Sequence, residues 1–233
     1  MRRRRPGAGP WGLIVLLLAA GITWPFQALH GQEAQRQSEV VNLPEPALDG
    51  TLALEAAIAK RRSVREFGPG RLTAAQIGQL AWAAQGITDA ETGHRACPSA
   101  GATYPLELYF VTPDGLLHYV PDGHRMERLA EADVRPKLRE AGWRQRQIAE
   151  APLAIIMAAV YERTAARFGE RGTRYVQLEA GHVGQNIQLQ AAALGLASVP
   201  IGVSDDDGRV RAALDLPEDQ EMVYVVCVGR AKE

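Results

Sequence analysis

Leu153-Ala154-Ile155-Ile156-Met157-Ala158-Ala159-Val160 is an apolar run of eight residues without a polar break. A run of that length, apolar on both faces, predicts a strand at the centre of a sheet. Downstream, the longest helical pattern spans Thr173 to Leu194 and stops at Gly195. Ala197 to Val203 is a short extended segment, and Ser204 to Asp207 offers a capping box for a helix through Leu214. Glu221 to Gly229, with Val223, Val225, Val226 and Val228, is the last strand. Upstream, Val134 to Ile148 has the periodicity of an amphipathic helix. Leu106–Thr112 and Leu116–Val120 flank Pro113-Asp114-Gly115, a turn that makes them a β-hairpin. Residues 86–105 read as a long loop, a length that usually carries function. A helix at 74–85 is capped by Thr73 and closed by Gly86, and another covers Leu52–Lys60. The pattern is one α+β domain with helices packed on a sheet.

The first thirty residues differ from the rest. Arg2 to Arg5 precede an apolar run, Leu13 to Ile22, which is too short for a membrane span and matches the core of a signal peptide. Residues 1–31 are therefore expected to be a signal peptide or an N-terminal membrane anchor. Residues 32–50 are expected to be a polar, Pro-containing linker, and 51–233 the folded domain. That address implies an exported protein, periplasmic or held at the outer side of the inner membrane. The whole chain has net charge −1; without Arg2–Arg5 it has 22 basic against 27 acidic residues, net −5. Neither value, nor any basic stripe with interleaved aromatics, suggests a nucleic-acid partner. Two cysteines, Cys97 and Cys227, do not make a disulfide framework.

The chemistry concentrates elsewhere. Arg61-Arg62-Ser63-Val64-Arg65-Glu66-Phe67 places three guanidinium groups and a hydroxyl within five residues at a predicted helix end. Forked guanidinium donors match phosphate oxygens. The competing explanation is a favourable interaction of basic residues with the helix C-terminus. No Gly-x-Gly-x-x-Gly or Walker A sequence follows a strand, so a Rossmann or P-loop site is not expected. The five histidines show no paired ligand spacing, and the acidic residue that a calcium loop would need after Gly208 is Leu214, so no metal site is expected. Ser99, with His182 as base, is a hydrolase alternative, but it lacks the sequence of a nucleophile elbow.

Taken together, the Arg cluster, Pro98-Ser99-Ala100-Gly101 with Tyr104-Pro105, Gln185-Asn186, Pro200-Ile201-Gly202 and Gly229-Arg230 suit a flavin: cations for its phosphate, amides along its edge, and close backbone at its ring. In the Arg cluster, the Pro98–Pro105 loop, and Gly181-His182 with Gln185-Asn186 and Leu194-Gly195-Leu196, the chain resembles the FMN-dependent nitroreductase superfamily over residues 55–230, and within it the branch named for SagB and the thiazole/oxazole-forming oxidases. The resemblance implies a nitroreductase-like fold with a mixed central sheet, an obligate homodimer and FMN at the subunit interface. NAD(P)H would be a transient electron donor, and a small-molecule or peptide-derived compound the substrate. It implies that Arg61, Arg62, Ser63, Arg65 and Arg230 hold the phosphate, and that Pro98, Ser99, Ala100 and Gly101 reach the flavin of the partner subunit. Gln185, Pro200, Ile201 and Gly202 would contact the flavin. The branch's Lys-Tyr pair is Arg174-Tyr175 here, the two residues expected at the catalytic position. An arginine is a poor general base, which argues against azoline oxidation. A flavin-free family member serving as a binding partner is the second class of function.

Overall fold

The computed structural model describes residues 39–203 and 208–232. The expected leader, residues 32–38 of the expected linker and the capping box at 204–207 lie outside these residues. Along the chain the elements are β1 (Glu39–Asn42), α1 (Leu54–Lys60), α2 (Ala74–Gln85), β2 (Ile87–Asp89), β3 (His94–Arg95), β4 (Leu106–Thr112), β5 (Gly115–Val120), β6 (Arg125–Ala130), α3 (Arg135–Glu140), α4 (Arg146–Glu150), β7 (Leu153–Ala159), α5 (Tyr161–Phe168), α6 (Arg171–Ala193), β8 (Leu196–Gly202), α7 (Arg209–Ala213) and β9 (Glu221–Arg230).

A seven-stranded sheet runs in the order β1-β6-β5-β4-β7-β9-β8. The Leu153 run is its middle: β7 pairs antiparallel with β4 on one side and β9 on the other. Every side chain of β7 is buried, as an apolar run without alternation requires. Its successive residues serve two cores. Leu153, Ile155 and Met157 join Phe110, Val226 and the α6 residues Val176, Val183 and Ile187. Ala154, Ile156 and Ala158 face the other way, with Tyr109, Val225, Leu138 and Trp143. Cys97 lies in the first core and Cys227 in the second, both as free thiols.

The fold class is the expected α+β arrangement of helices on a sheet. All neighbouring strands of the sheet are antiparallel; the parallel character expected of a mixed sheet is confined to an isolated bridge between Ser63 and Ser198. Four local differences have physical reasons. Glu39–Asn42, read as linker, pairs with β6, and Arg128 fastens it through Glu39 at 2.6 Å. The helix expected over Val134–Ile148 breaks in two at Gly142, whose φ of 122° lets Trp143 turn into the core. β6 and α5 lie in stretches where polar residues mask the period. The expected loop 86–105 folds back as the short β2–β3 hairpin.

α6 packs tightly on the sheet because Gly184 is small. A Cβ there would lie 2.7 Å from the Tyr224 ring. Gly181, on the same helix, faces open space.

Candidate flavin site

The Arg61–Phe67 segment leaves α1 and turns extended. Arg61 is the residue after the helix, with ψ 126°. Ser63 bridges Ser198, the Val64 N–H donates to the Ser198 carbonyl at 2.9 Å, and Phe67 bridges Ala231. The Gly68 N–H donates to the Arg230 carbonyl at 2.9 Å. The cluster is thereby laid along the ends of β8 and β9. Gly229 permits this packing, since a Cβ there would meet Phe67 and Pro152 at 2.8 Å.

The arginines divide the work. Arg61 Nη1 donates to Gln188 Oε1 at 3.3 Å, across a cavity of about 220 Å³ lined by Lys60, Arg61, Arg62, Gln188, Gly195 and Ser198 among others. Arg62 Nη1 donates to the carbonyls of Ala59 and Arg61 at 2.8 and 2.7 Å, so it caps α1. Arg61 and Arg62 both line this cavity, and Arg62 also serves the helix end. Ser63, Arg65 and Arg230 are exposed, and the Arg230 side chain lies over Gly70.

Pro200, Ile201 and Gly202 continue β8 away from this cradle, opposite Val226, Val225 and Tyr224. From Leu196, opposite Arg230, to Gly202 the strand covers seven residues, roughly 20 Å over six steps of ~3.3 Å. β8 is an edge strand, and a Cβ on Gly202 would meet nothing within 4 Å. The arginine segment and Pro200–Gly202 thus lie in sequence along one sheet edge, which Ser63 and Val64 cover at Ser198.

The other expected residues lie elsewhere in the chain. The Pro98–Gly101 loop is held at α5 and at the N-terminal half of α6: Arg167 Nη1 donates to the Gly101 carbonyl at 2.8 Å, and Thr103 Oγ1 meets Thr164 Oγ1 at 2.8 Å. Ser99 Oγ accepts from the Tyr104 N–H at 2.9 Å, beside the Glu179 carboxyl. Among the described residues no hydrogen bond links Ser99 to His182, so the hydrolase pairing does not form. Glu179 and Gln188, the α6 contacts of the loop and of Arg61, are nine residues apart, about 13 Å along the helix. Arg174 is exposed and Tyr175 half-buried, edge-on to Phe168 at 5.2 Å. Gln185 is exposed, whereas Asn186 is committed within the chain, donating to the Ala83 carbonyl at 3.0 Å and to Cys97 Sγ at 3.0 Å.

Two residues escaped the sequence reading, Gln188 and Glu179. The available signal was a polar residue inside the apolar period of α6, beside Ile187 and Ala191 for one and Val176 and Ala180 for the other. Glu179 is 2% exposed, and burial pushes its carboxyl above the usual range. Hydrogen bonds from Ser99 and Gln85, and the charge of Arg95, act in the opposite sense without cancelling it. The folded state then holds this proton more tightly than the unfolded state. The associated stability is complete below the ordinary value of 4.5 and is lost as pH rises through the raised folded value. We expect Glu179→Gln to remove this slope, so that urea unfolding at successive pH values shifts in the variant's favour as pH rises above 4.5. Parallel stability curves would contradict it.

The Nitroreductase family model matches residues 58–230. A nitroreductase-family protein of Methanocaldococcus jannaschii, MJ1384, is 42% identical over 173 residues, covering 72% of this chain and 86% of that protein. The trifolitoxin-processing protein TfxB of Rhizobium leguminosarum bv. trifolii is 34% identical over 113 residues, 44% of this chain and 30% of TfxB. The crystal structure of a nitroreductase-type protein from Ralstonia eutropha superposes with a TM-score of 0.74 at 28% identity, covering 84% of this chain and 92% of that one. The NADPH:FMN oxidoreductase of Vibrio harveyi, solved with NAD+, shares the fold at a TM-score of 0.57 and 19% identity, over 77% of this chain and 69% of its own. With the antiparallel sheet, the arginine segment along its open edge and a family match spanning both, the chain belongs to the nitroreductase family.

Proposed function

We propose that the protein is an FMN-dependent oxidoreductase acting as a homodimer, which exchanges a hydride or electron pair between NAD(P)H and a small-molecule or peptide-derived substrate. The observation that carries this reading is the Arg61 cavity at one end of β8 with the open Pro200–Gly202 edge beyond it. The residues fit the group: Arg61, with Lys60 at the same cavity, suits the phosphate, and the ~20 Å edge accommodates an elongated ligand. Bound FMN supplies reversible two-electron redox chemistry.

Arg61, Ser63, Arg65 and Arg230 bind and orient the phosphate end. Pro200 and Gly202 admit the ring without a side-chain obstacle. The separation of the Pro98–Gly101 loop from Arg61 along α6 supports a site shared between subunits, in which Ser99 and its neighbours serve the partner's flavin. Arg174 stays charged and stabilises negative charge at the substrate, while Tyr175 is the group able to exchange a proton. This pair favours a substrate other than a peptide azoline, even though TfxB is named for trifolitoxin processing. The Arg2–Arg5 and Leu13–Ile22 pattern supports export or anchoring at the outer side of the inner membrane.

The test is a visible spectrum of the purified protein before and after incubation with FMN, followed by anaerobic reduction with NADH or NADPH. Bound flavin that bleaches with a nucleotide is the expected result. No bound flavin and no uptake would leave the flavin-free, partner-binding reading in its place.

A further inference from the structure

Much of the arginine on this surface is paired. Arg71, Arg125, Arg128, Arg135, Arg146 and Arg163 each reach a carboxylate, at 2.6–3.7 Å. Arg167, Arg171 and Arg174 are exposed, and among the described residues none of them makes an ion pair. They belong to a stretch, 161–175, with four arginines against two glutamates. Local structure does not account for this charge. Arg171 and Arg174 stand in the opening turns of α6, whose first turn holds no acidic residue, so both oppose the positive end of the helix dipole.

The three arginines gather beside the loop that is read as serving the partner's flavin. Gly172 lets α6 cross α5 closely, since a Cβ there would lie 2.9 Å from the Ala165 backbone. Across that crossing the Phe168 and Tyr175 rings meet edge-on at 5.2 Å, and Arg167 Cζ stands 5.5 Å from the Phe168 ring. Arg171 and Arg174 are three residues apart, on one face of α6 and next to Tyr175. Arg167 joins the group to the loop. Its Nη1 donates to the Gly101 carbonyl at 2.8 Å, and a Cβ on Gly101 would lie 2.7 Å from that nitrogen. Among the described residues this engages one nitrogen of the three in the fork, which leaves N–H groups for a ligand.

We propose that Arg167, Arg171 and Arg174 form an anion-selecting rim: a compound that exchanges electrons with the flavin carries an oxyanion, carboxylate or phosphate, and these guanidinium groups bind it. The proposal rests on the FMN reading above and names the substrate class of that site. Forked, permanently charged donors suit either oxyanion. The rim selects through charge, and Tyr175 beside it is the group able to exchange a proton.

The experiment uses the full chain loaded with FMN. Binding of 4-nitrobenzoate and of its uncharged analogue 4-nitrobenzamide is read from the change each makes in flavin absorbance, so no turnover is needed. The parent should bind the carboxylate at least about tenfold more tightly than the amide at low salt, and lose most of that preference at about 0.5 M salt. Arg171→Glu should reduce the preference about tenfold, whereas Arg171→Lys, which keeps the charge, should hold it within about threefold. Arg71→Glu makes the same change in net charge beside Asp114, at the far end of β4 from the loop, and should leave the preference unaltered. A second arm compares NADPH with NADH as reductants, because the 2′-phosphate of NADPH is the other oxyanion that can reach the site. A fall of about tenfold in the NADPH-to-NADH ratio of kcat/KM in Arg171→Glu assigns the rim to the nucleotide, and a fall confined to 4-nitrobenzoate assigns it to the second substrate. Absence of any preference in the parent, or preferences that Arg171→Glu leaves within about twofold in both arms, would overturn the proposal. A parent that takes up no FMN overturns the functional reading and this proposal with it, a failure already visible at the loading step.

Discussion

Arg61→Ala should weaken FMN binding by about a hundredfold, roughly 2.7 kcal/mol, the scale of a charge-assisted contact to phosphate. The argument rests on direction. Arg61 leaves α1 in extended conformation and points across the cavity to Gln188, a neutral partner that a dianion displaces readily. Arg62→Ala provides the contrast. Its Nη1 is already engaged by the Ala59 and Arg61 carbonyls, so its removal should lower stability by about 1 kcal/mol while changing FMN affinity by less than tenfold. Fluorescence titration of FMN against both variants, with urea unfolding of each, checks the pair. An Arg61→Ala chain with parental affinity would return the cluster to a purely helix-capping role.

The largest expected loss of stability comes from Gly115→Ala. Gly115 has φ of 134°, and a Cβ at this position would lie 1.9 Å from the Ala130 carbonyl oxygen and 2.9 Å from its carbon. Both are backbone atoms of β6, held in register opposite Leu116, so they cannot swing aside as a flexible side chain would. Steric overlap and an unfavourable φ act together, for a cost of about 4 kcal/mol. In a domain of this size that corresponds to a Tm lowered by roughly 10 °C. Thermal and urea unfolding measure it; a loss under about 1 kcal/mol would mean that the β5–β6 register is softer than it stands here.

The same glycine shows what the sequence could reveal. Pro113-Asp114-Gly115 carries its turn within three residues, so the hairpin was legible, as were β7 from its apolar run and β9 from its valines. These elements announce themselves through local composition. β1 and β6 do not: Glu39–Asn42 and Arg125–Ala130 lack a regular alternation of polar and apolar residues, and become strands because each gives the other a ladder. The break at Gly142 depends on a tertiary pocket for Trp143, which no periodicity shows. The site divides in the same way. Arg61–Arg65 and Pro200–Gly202 were readable as residue types suited to a ligand. Glu179 and Gln188 were not, because their partners are distant in sequence: Gln85 lies 94 residues from Glu179, and Arg61 lies 127 from Gln188. The division between Arg61 and Arg62, neighbours of identical chemistry, required the helix end itself.

The strand order sets the two margins of the sheet well apart. β1 and β8 lie six strand spacings, or about 29 Å, from each other. A contact made along the β1 margin therefore leaves the Arg61 cavity and the Pro200–Gly202 stretch at the β8 margin uncovered.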